Sequence, residues 1–318
     1  MTRLYMHTPL WESPPLSEAL GAPVLLKMEA FQPVGSFKAR AMGEQCRARA
    51  AAGATSLICA SGGNAGYAVA YAGRRLGLPV TVVVMEQATA RARELIAREG
   101  ATLRVHGASF EDAQAEALRL AAETGAGYVH PFDDADAWRG TATLVPELVA
   151  DGCPRPGAVV LSVGGGGLLV GVVDGLRAVG WEGVPILAVE TKGADSFAAT
   201  VQAGEVVTLP AITSLAATLS ARRVTARALA VTREWPITSW VVSDREAVEA
   251  CLRFADDHRV LVEPACGAAL APVYAAAEPL RGQAPVLVIV CGGAGVTREQ
   301  LAAWERRVKD EGHDPKGS

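Results

Sequence analysis

Val159-Val160-Leu161-Ser162-Val163-Gly164-Gly165-Gly166-Gly167-Leu168-Leu169 is a β-rich apolar run that passes through four glycines into a helix-like stretch. Glycines lack a Cβ, so backbone amides can converge on an anion there, and the following helix adds its dipole. A plain strand-to-helix turn needs fewer glycines than this, which favours a phosphate site. No window completes G-x-G-x-x-G, because Leu169 stands where the third glycine would fall counting from Gly164. The absence of G-K-[ST] excludes a P-loop. A dinucleotide site is still a rival, since the next strand, Ile186-Leu187-Ala188-Val189, ends in Glu190, where an acid would meet a ribose.

The same rhythm extends both ways. Ser56–Ala60, Val80–Val84, Thr102–Val105 and Tyr128–His130 read as strands, each followed by a helical pattern: Ala65–Leu76, Ala88–Glu99, Phe110–Thr124, and one from the Pro131-Phe132-Asp133-Asp134 turn to Val149. Further strands are expected at Ala158–Val163, Ile186–Val189, Trp240–Val242 and Val286–Val290. Ser243-x-x-Glu246 and Thr297-x-x-Gln300 read as capping boxes. Apolar strands alternating with helices imply an α/β fold with mainly parallel sheets covered on both faces. The break near Pro131 suggests two domains: residues 1–35 with 132–318 as a discontinuous large domain, and 36–131 as a small one. The tail from Lys309 to Ser318 is polar and expected to fray.

Composition narrows the class. The chain has 318 residues, half of them hydrophobic, with few aromatics, as in α/β enzymes. A net charge of −4, with no Lys/Arg block, argues against nucleic acid. The cysteines, Cys46, Cys59, Cys153, Cys251, Cys266 and Cys291, show no paired spacing, which suits reduced thiols in the cytoplasm. The N-terminus lacks a signal-peptide core, and the longest apolar run, Ala158–Val173, is too short to span a bilayer.

Three more stretches carry chemistry. In Glu29-Ala30-Phe31-Gln32-Pro33-Val34-Gly35-Ser36-Phe37-Lys38-Ala39-Arg40, a turn follows the strand-like Val24–Met28, and Ser36 is placed to N-cap a helix running through Arg49. Lys38 then lies in the first helical turn, where the positive helix end and partial burial push an amine towards its neutral, nucleophilic form. Schiff-base chemistry needs such a lysine, although taken alone an ordinary surface lysine fits the stretch as well. Ser61-Gly62-Gly63-Asn64-Ala65-Gly66 leaves successive amides exposed at a strand end and suits a carboxylate. Val290-Cys291-Gly292-Gly293-Ala294-Gly295 ends the last strand, where open α/β sheets face a ligand.

Together with Val262-Glu263-Pro264-Ala265-Cys266-Gly267-Ala268, these motifs come in the order seen in fold type II pyridoxal-phosphate enzymes. The chain most resembles the L-serine/L-threonine dehydratases of the serine dehydratase type. The likeness covers almost the whole chain, including Glu190–Ala194 and Leu209–Ser214. It implies the tryptophan synthase β-like fold, with two open sheets and pyridoxal 5'-phosphate as cofactor. Lys38 would carry the cofactor as a Schiff base, Phe37 would pack beside its ring, and Asn64 would bond its ring hydroxyl. The amides of Gly164, Gly165, Gly166, Gly167 and Leu168 would hold its phosphate, and Cys291 would face its pyridine nitrogen. Ser61, Gly62, Asn64 and Ala65 would line the substrate carboxylate site. Relatives bind a monovalent or divalent cation; the matching positions are Glu190 and Ala194, with Leu219 and Ala221 as backbone ligands. Val34, Ala41 and Ala294-Gly295 depart from the commoner family residues.

The resemblance implies β-elimination of L-serine to pyruvate and ammonia, and of L-threonine to 2-oxobutanoate, by a cytoplasmic homodimer. Freed Lys38 would remove the α-proton before the β-hydroxyl leaves. A thiol at Cys291 cannot hold a proton on the ring nitrogen as a carboxylate would, which suits elimination over transamination. Racemases of this fold carry a serine at the position of Gly62, on the cofactor face opposite the lysine, and glycine offers no acid there. Serine racemase, cysteine-synthase-type β-replacement and a non-catalytic amino-acid-binding relative are the alternatives.

Overall fold

The computed structural model describes residues 3–310, so positions 311–318 of the polar tail lie outside the described residues. The first strands are β1 (Leu10–Glu12), β2 (Val24–Lys27), β3 (Leu57–Ala60), β4 (Val80–Val84) and β5 (Thr102–Val105). They are followed by β6 (Gly127–Val129), β7 (Ala158–Ser162), β8 (Ile186–Thr191), β9 (Ile237–Val242) and β10 (Val286–Ile289). Six strands form one sheet in the order β1-β2-β10-β7-β8-β9, and four form another in the order β5-β4-β3-β6. Every pairing is parallel except β1 with β2. Between β1 and β2 lies the short helix Pro14–Leu20, capped by the Ser13 side chain and closed by Gly21. So short a return gives an antiparallel edge without a long crossover.

All residues of β3, β7, β8 and β10 are buried, which is why they read as unbroken apolar runs. The outer strands β5 and β9 keep exposed positions. Helices cover both faces of such sheets, so apolar residues are needed on both sides of the central strands. Among the described residues no helix is long and apolar enough to cross a membrane.

Strand order reverses once in each sheet. In the larger, β7 leads outward to β8 and β9, while its other neighbour is β10. In the smaller, β3 lies between β4 and β6. The loops leaving adjacent strands therefore diverge after β7 and β10, and again after β3 and β6. Such divergence opens a crevice at the strands' carboxyl ends. The four loops begin at Val163, Val290, Ser61 and His130, and they carry most of the residues singled out above.

Two local expectations need correction. Ser36 does not cap the helix after it. That helix spans Lys38–Ala51, its N-cap is Phe37 with no side-chain bond, and the Ser36 hydroxyl is buried with no partner. The backbone of Ser36 pairs instead with Gly292, and its carbonyl accepts the Ala39 amide at 3.2 Å. The helix expected to reach Val149 is two, Ala135–Ala142 and Leu144–Ala150. Pro146 has no N–H to offer the Ala142 carbonyl, so the ladder breaks at Thr143.

A buried ionic cluster fixes the start of the Lys38 helix. Arg40, two residues on, reaches Glu29 through both prongs and also Glu147 at 2.6 Å. Glu147 also accepts from Lys27 of β2 at 2.9 Å. A buried charge is tolerable only when paired and hydrogen-bonded, and here each one is.

Candidate active site

The diverging loops enclose a cavity of about 440 Å³. Phe37, Lys38, Ser61, Gly62, Asn64, Ala65, the run Gly164–Leu168, Leu219, Ala221 and Cys291 all border it. Glu190 and Ala194 do not; Glu190 is buried within β8 and Ala194 is buried just beyond its end.

On one wall, the helix Gly167–Ala178 begins with Gly166 as N-cap and no side-chain cap, so its first amides face the cavity side unclaimed. A Cβ at Gly165 would lie 2.3 Å from the Phe132 ring, and one at Gly167 would lie 2.8 Å from the Phe132 carbonyl oxygen. Gly166 has φ +92, and a Cβ there would lie 2.5 Å from that of Ala228. Three of the four glycines are thus required by close packing as well as by the open amides. Opposite, the helix Asn64–Leu76 also starts without a side-chain cap, at Gly63.

Lys38 is half-buried at the first position of its helix, and its amine donates to the Pro131 carbonyl after β6. Burial lowers its pKa to about 8, against the opposing influence of the Cys59 and Cys291 thiols. The turn carrying Pro131 is fixed by His130, whose Nδ1 accepts the Asp133 amide at 2.8 Å. Burial, and then the Lys38 charge, lower that histidine to about 4, so it stays neutral. Cys291 is tied to the same region: its carbonyl accepts the Phe37 amide at 3.2 Å, and its Sγ lies 3.6 Å from Ser162 Oγ.

Asn64 spans the cavity. Its Oδ1 accepts the Ala294 amide at 3.0 Å, and its Nδ2 donates to Glu263 Oε1 at 2.7 Å. Thr218 Oγ1 donates to the same Glu263 oxygen at 2.6 Å. Burial pushes the Glu263 carboxyl up to about 7, although both hydrogen bonds oppose this. Glu263 and Thr218 are site residues that sequence reasoning left without a role. The available signal was the acid inside Val262-Glu263-Pro264: it stands at the N-cap of the helix Pro264–Tyr274 yet caps nothing.

Over residues 1–292 the chain matches the pyridoxal-phosphate dependent enzyme family. It belongs to that family. It is 48% identical to the L-serine dehydratase/L-threonine deaminase of Mus musculus over 309 residues, 94% of each chain. A fungal L-serine ammonia-lyase from Rhizomucor miehei superposes with a TM-score of 0.90 at 34% identity, over 96% of this chain and 99% of that one. Maize serine racemase is also similar, with a TM-score of 0.85 and 27% identity over 97% of this chain and 94% of that one.

The residues of this pyridoxal-phosphate enzyme fit the cofactor. A crowded glycine run at an uncapped helix start suits its phosphate, and the desolvated Lys38 amine across the cavity suits its aldehyde. Of the positions matched to a cation, Leu219 and Ala221 border the cavity, while Glu190 and Ala194 lie outside it. Glu190 is wholly buried, accepts the amides of Phe197 and Ala198 at 2.8 and 2.7 Å, and is pushed up to about 8 by burial. Ser196, beside Phe197, donates to the Ala221 carbonyl at 2.9 Å, which brings Ala221 to the same helix start. Among the described residues no three His, Cys, Asp or Glu side chains gather to hold a metal ion.

Proposed function

We propose that this enzyme eliminates water from L-serine to give pyruvate and ammonia, and acts likewise on L-threonine to give 2-oxobutanoate. The observation that carries the reading is the pairing of one desolvated amine, Lys38, with a side-chain-free Gly62 on the cavity wall. Bound pyridoxal phosphate supplies the electron sink that makes the α-proton removable. The protein does the rest. The amides of Gly164–Leu168 would hold the cofactor phosphate, and Asn64 would bond the ring hydroxyl. Phe37 would pack beside the ring, and Cys291 would face its nitrogen. The Ser61–Ala65 loop receives the substrate carboxylate, with the uncapped helix start behind it. Lys38 takes the α-proton, the β-hydroxyl leaves as water, and the released aminoacrylate hydrolyses to pyruvate and ammonia.

The same reading extends to domains, cation, assembly and compartment. Residues 1–35 with 132–318 form the cofactor-holding domain and 36–131 the smaller one. By the resemblance, the matching positions Glu190 and Ala194, with the backbone of Leu219 and Ala221, would hold a monovalent or divalent cation. Its support is a buried carboxylate held by two amides, for which a cation supplies the counter-charge. The protein is a cytoplasmic homodimer, in keeping with six buried free thiols for the compartment.

Incubation of purified protein with L-serine, with pyruvate, D-serine and (on adding sulfide) cysteine measured together, tests the reaction. Pyruvate is the expected main product; D-serine or cysteine in its place would transfer the chain to one of the neighbouring activities.

A further inference from the structure

A primary amide offers two N–H donors and two lone pairs, and its orientation is set by what surrounds it. At Asn64 the surroundings leave one choice. The Ala294 N–H needs an acceptor at Oδ1, and the Glu263 carboxyl oxygen needs a donor at Nδ2. A flipped amide would set oxygen against oxygen on one side and N–H against N–H on the other. One Nδ2 hydrogen then remains, beside the cavity.

Glu263 is itself held in place. Thr218 donates to the oxygen that Asn64 uses, and Gly293 presses on the carboxyl so closely that a Cβ there would lie 2.2 Å from Cδ. These contacts cross the cavity: Asn64 follows β3 of the four-stranded sheet, while Glu263 and Gly293 flank the helix Pro264–Tyr274 and β10 of the larger one. The acid forgoes capping its own helix to make them.

We propose that Glu263 is a positioning residue, which locks the Asn64 amide so that its free N–H is presented to the hydroxyl oxygen of the cofactor ring. The inference rests on the assignment of Asn64 to that hydroxyl. Glu263 acts only through Asn64, so its effect on cofactor binding vanishes when Asn64 is absent.

The test titrates pyridoxal phosphate into cofactor-free Glu263→Ala, Glu263→Asp, Glu263→Gln, Asn64→Ala and the Glu263→Ala/Asn64→Ala double variant, without substrate. Affinity, the visible absorption of the bound cofactor, and melting of the cofactor-free protein are recorded. Glu263→Ala is expected to weaken binding about tenfold, the loss of one charge-assisted hydrogen bond, with a shifted absorption band. The double variant should bind within about twofold of Asn64→Ala alone. Glu263→Gln, which keeps an acceptor oxygen, should stay within about threefold of the parent. Glu263→Asp, too short to reach, should match Glu263→Ala and serves if the alanine variant does not fold. Unchanged affinity and spectrum in Glu263→Asp, or losses that multiply in the double variant, would overturn the proposal; so would lowered melting with intact binding. The serine reaction is read separately: a parent that binds cofactor but forms no pyruvate refutes that reading alone.

Discussion

Arg40 and Glu29 form a two-pronged ion pair with no exposed surface, Nε to Oε2 and Nη2 to Oε1, each at 2.8 Å. The pair joins the segment after β2 to the helix that begins with Lys38, and Glu147 closes the other side of the guanidinium. Replacing Arg40 with Met would leave the buried Glu29 carboxylate with only the neutral donors Thr8 and Gln32, and Glu147 with Lys27 as its one remaining close cation. Stranding a buried charge in this way costs about 3–5 kcal/mol. Urea unfolding of Arg40→Met should show a loss of that size, with weaker cofactor binding because the first turn at Lys38 loses its anchor. A loss under about 1 kcal/mol, the range of an exposed pair, would mean the cluster does not stabilise the fold as argued.

Lys38 gives a pH prediction. Its lowered pKa, about 8 rather than the ordinary 10.5, means the neutral amine dominates above about 8 and the ammonium below. Only the neutral amine attacks an aldehyde, so the rate of covalent cofactor capture should rise with pH and level off above about 8. Rapid-mixing absorbance on cofactor-free protein would measure it, and borohydride should label Lys38. A plateau reached only near 10.5 would show that the cavity does not desolvate the amine. Lys38→Ala should abolish both capture and turnover.

Much of this site could be read from the chain because the signals were local. Buried parallel strands leave unbroken apolar runs, and four glycines after β7 have few other uses. What escaped depends on distant partners. Ser36 has the right residue type for a cap, but its pairing with Gly292, far along the chain, turns the backbone so that the hydroxyl goes unused. The helix Pro264–Tyr274 is apolar all round because it is buried almost throughout, so no helical period marks it. Glu263 stands at its start with the sequence of an ordinary N-terminal acid, and only the fold brings Asn64 and Thr218 to it.

Cys291 lies within reach of Ser162, and its carbonyl accepts the Phe37 amide at the Lys38 helix start, but the glycine run proposed to hold the phosphate is on another loop. Cys291→Ala should therefore keep most of the bound cofactor while lowering turnover on L-serine about tenfold. Cofactor content by absorbance, set beside the rate of pyruvate formation, separates the two effects. Loss of cofactor in step with activity would instead make Cys291 a packing residue.

Gly62 and Ala88 supply the last prediction. In the proposed reading Gly62 lies on the cofactor face opposite Lys38, so no acid can deliver a proton there and the α-proton returns only to the face it left. Reversal or loss of the β-hydroxyl are then the productive exits, and the parent enzyme should form pyruvate with little D-serine and leave D-serine untouched. A serine at Gly62 would supply the missing donor, yet a Cβ there would lie 2.8 Å from the Ala88 Cβ and 3.7 Å from the Val84 Cβ. The loop must shift to admit it, so Gly62→Ser alone should lose pyruvate formation and gain little racemisation. Ala88→Gly removes the nearer obstacle, and the double variant Gly62→Ser/Ala88→Gly should form measurable D-serine from L-serine. Chiral chromatography of both products over time decides the matter. Sustained D-serine from the parent at a rate near that of pyruvate would mean that an acid other than residue 62 reaches the far face. A double variant that binds cofactor and makes pyruvate, but no D-serine, would place Gly62 away from the α-carbon.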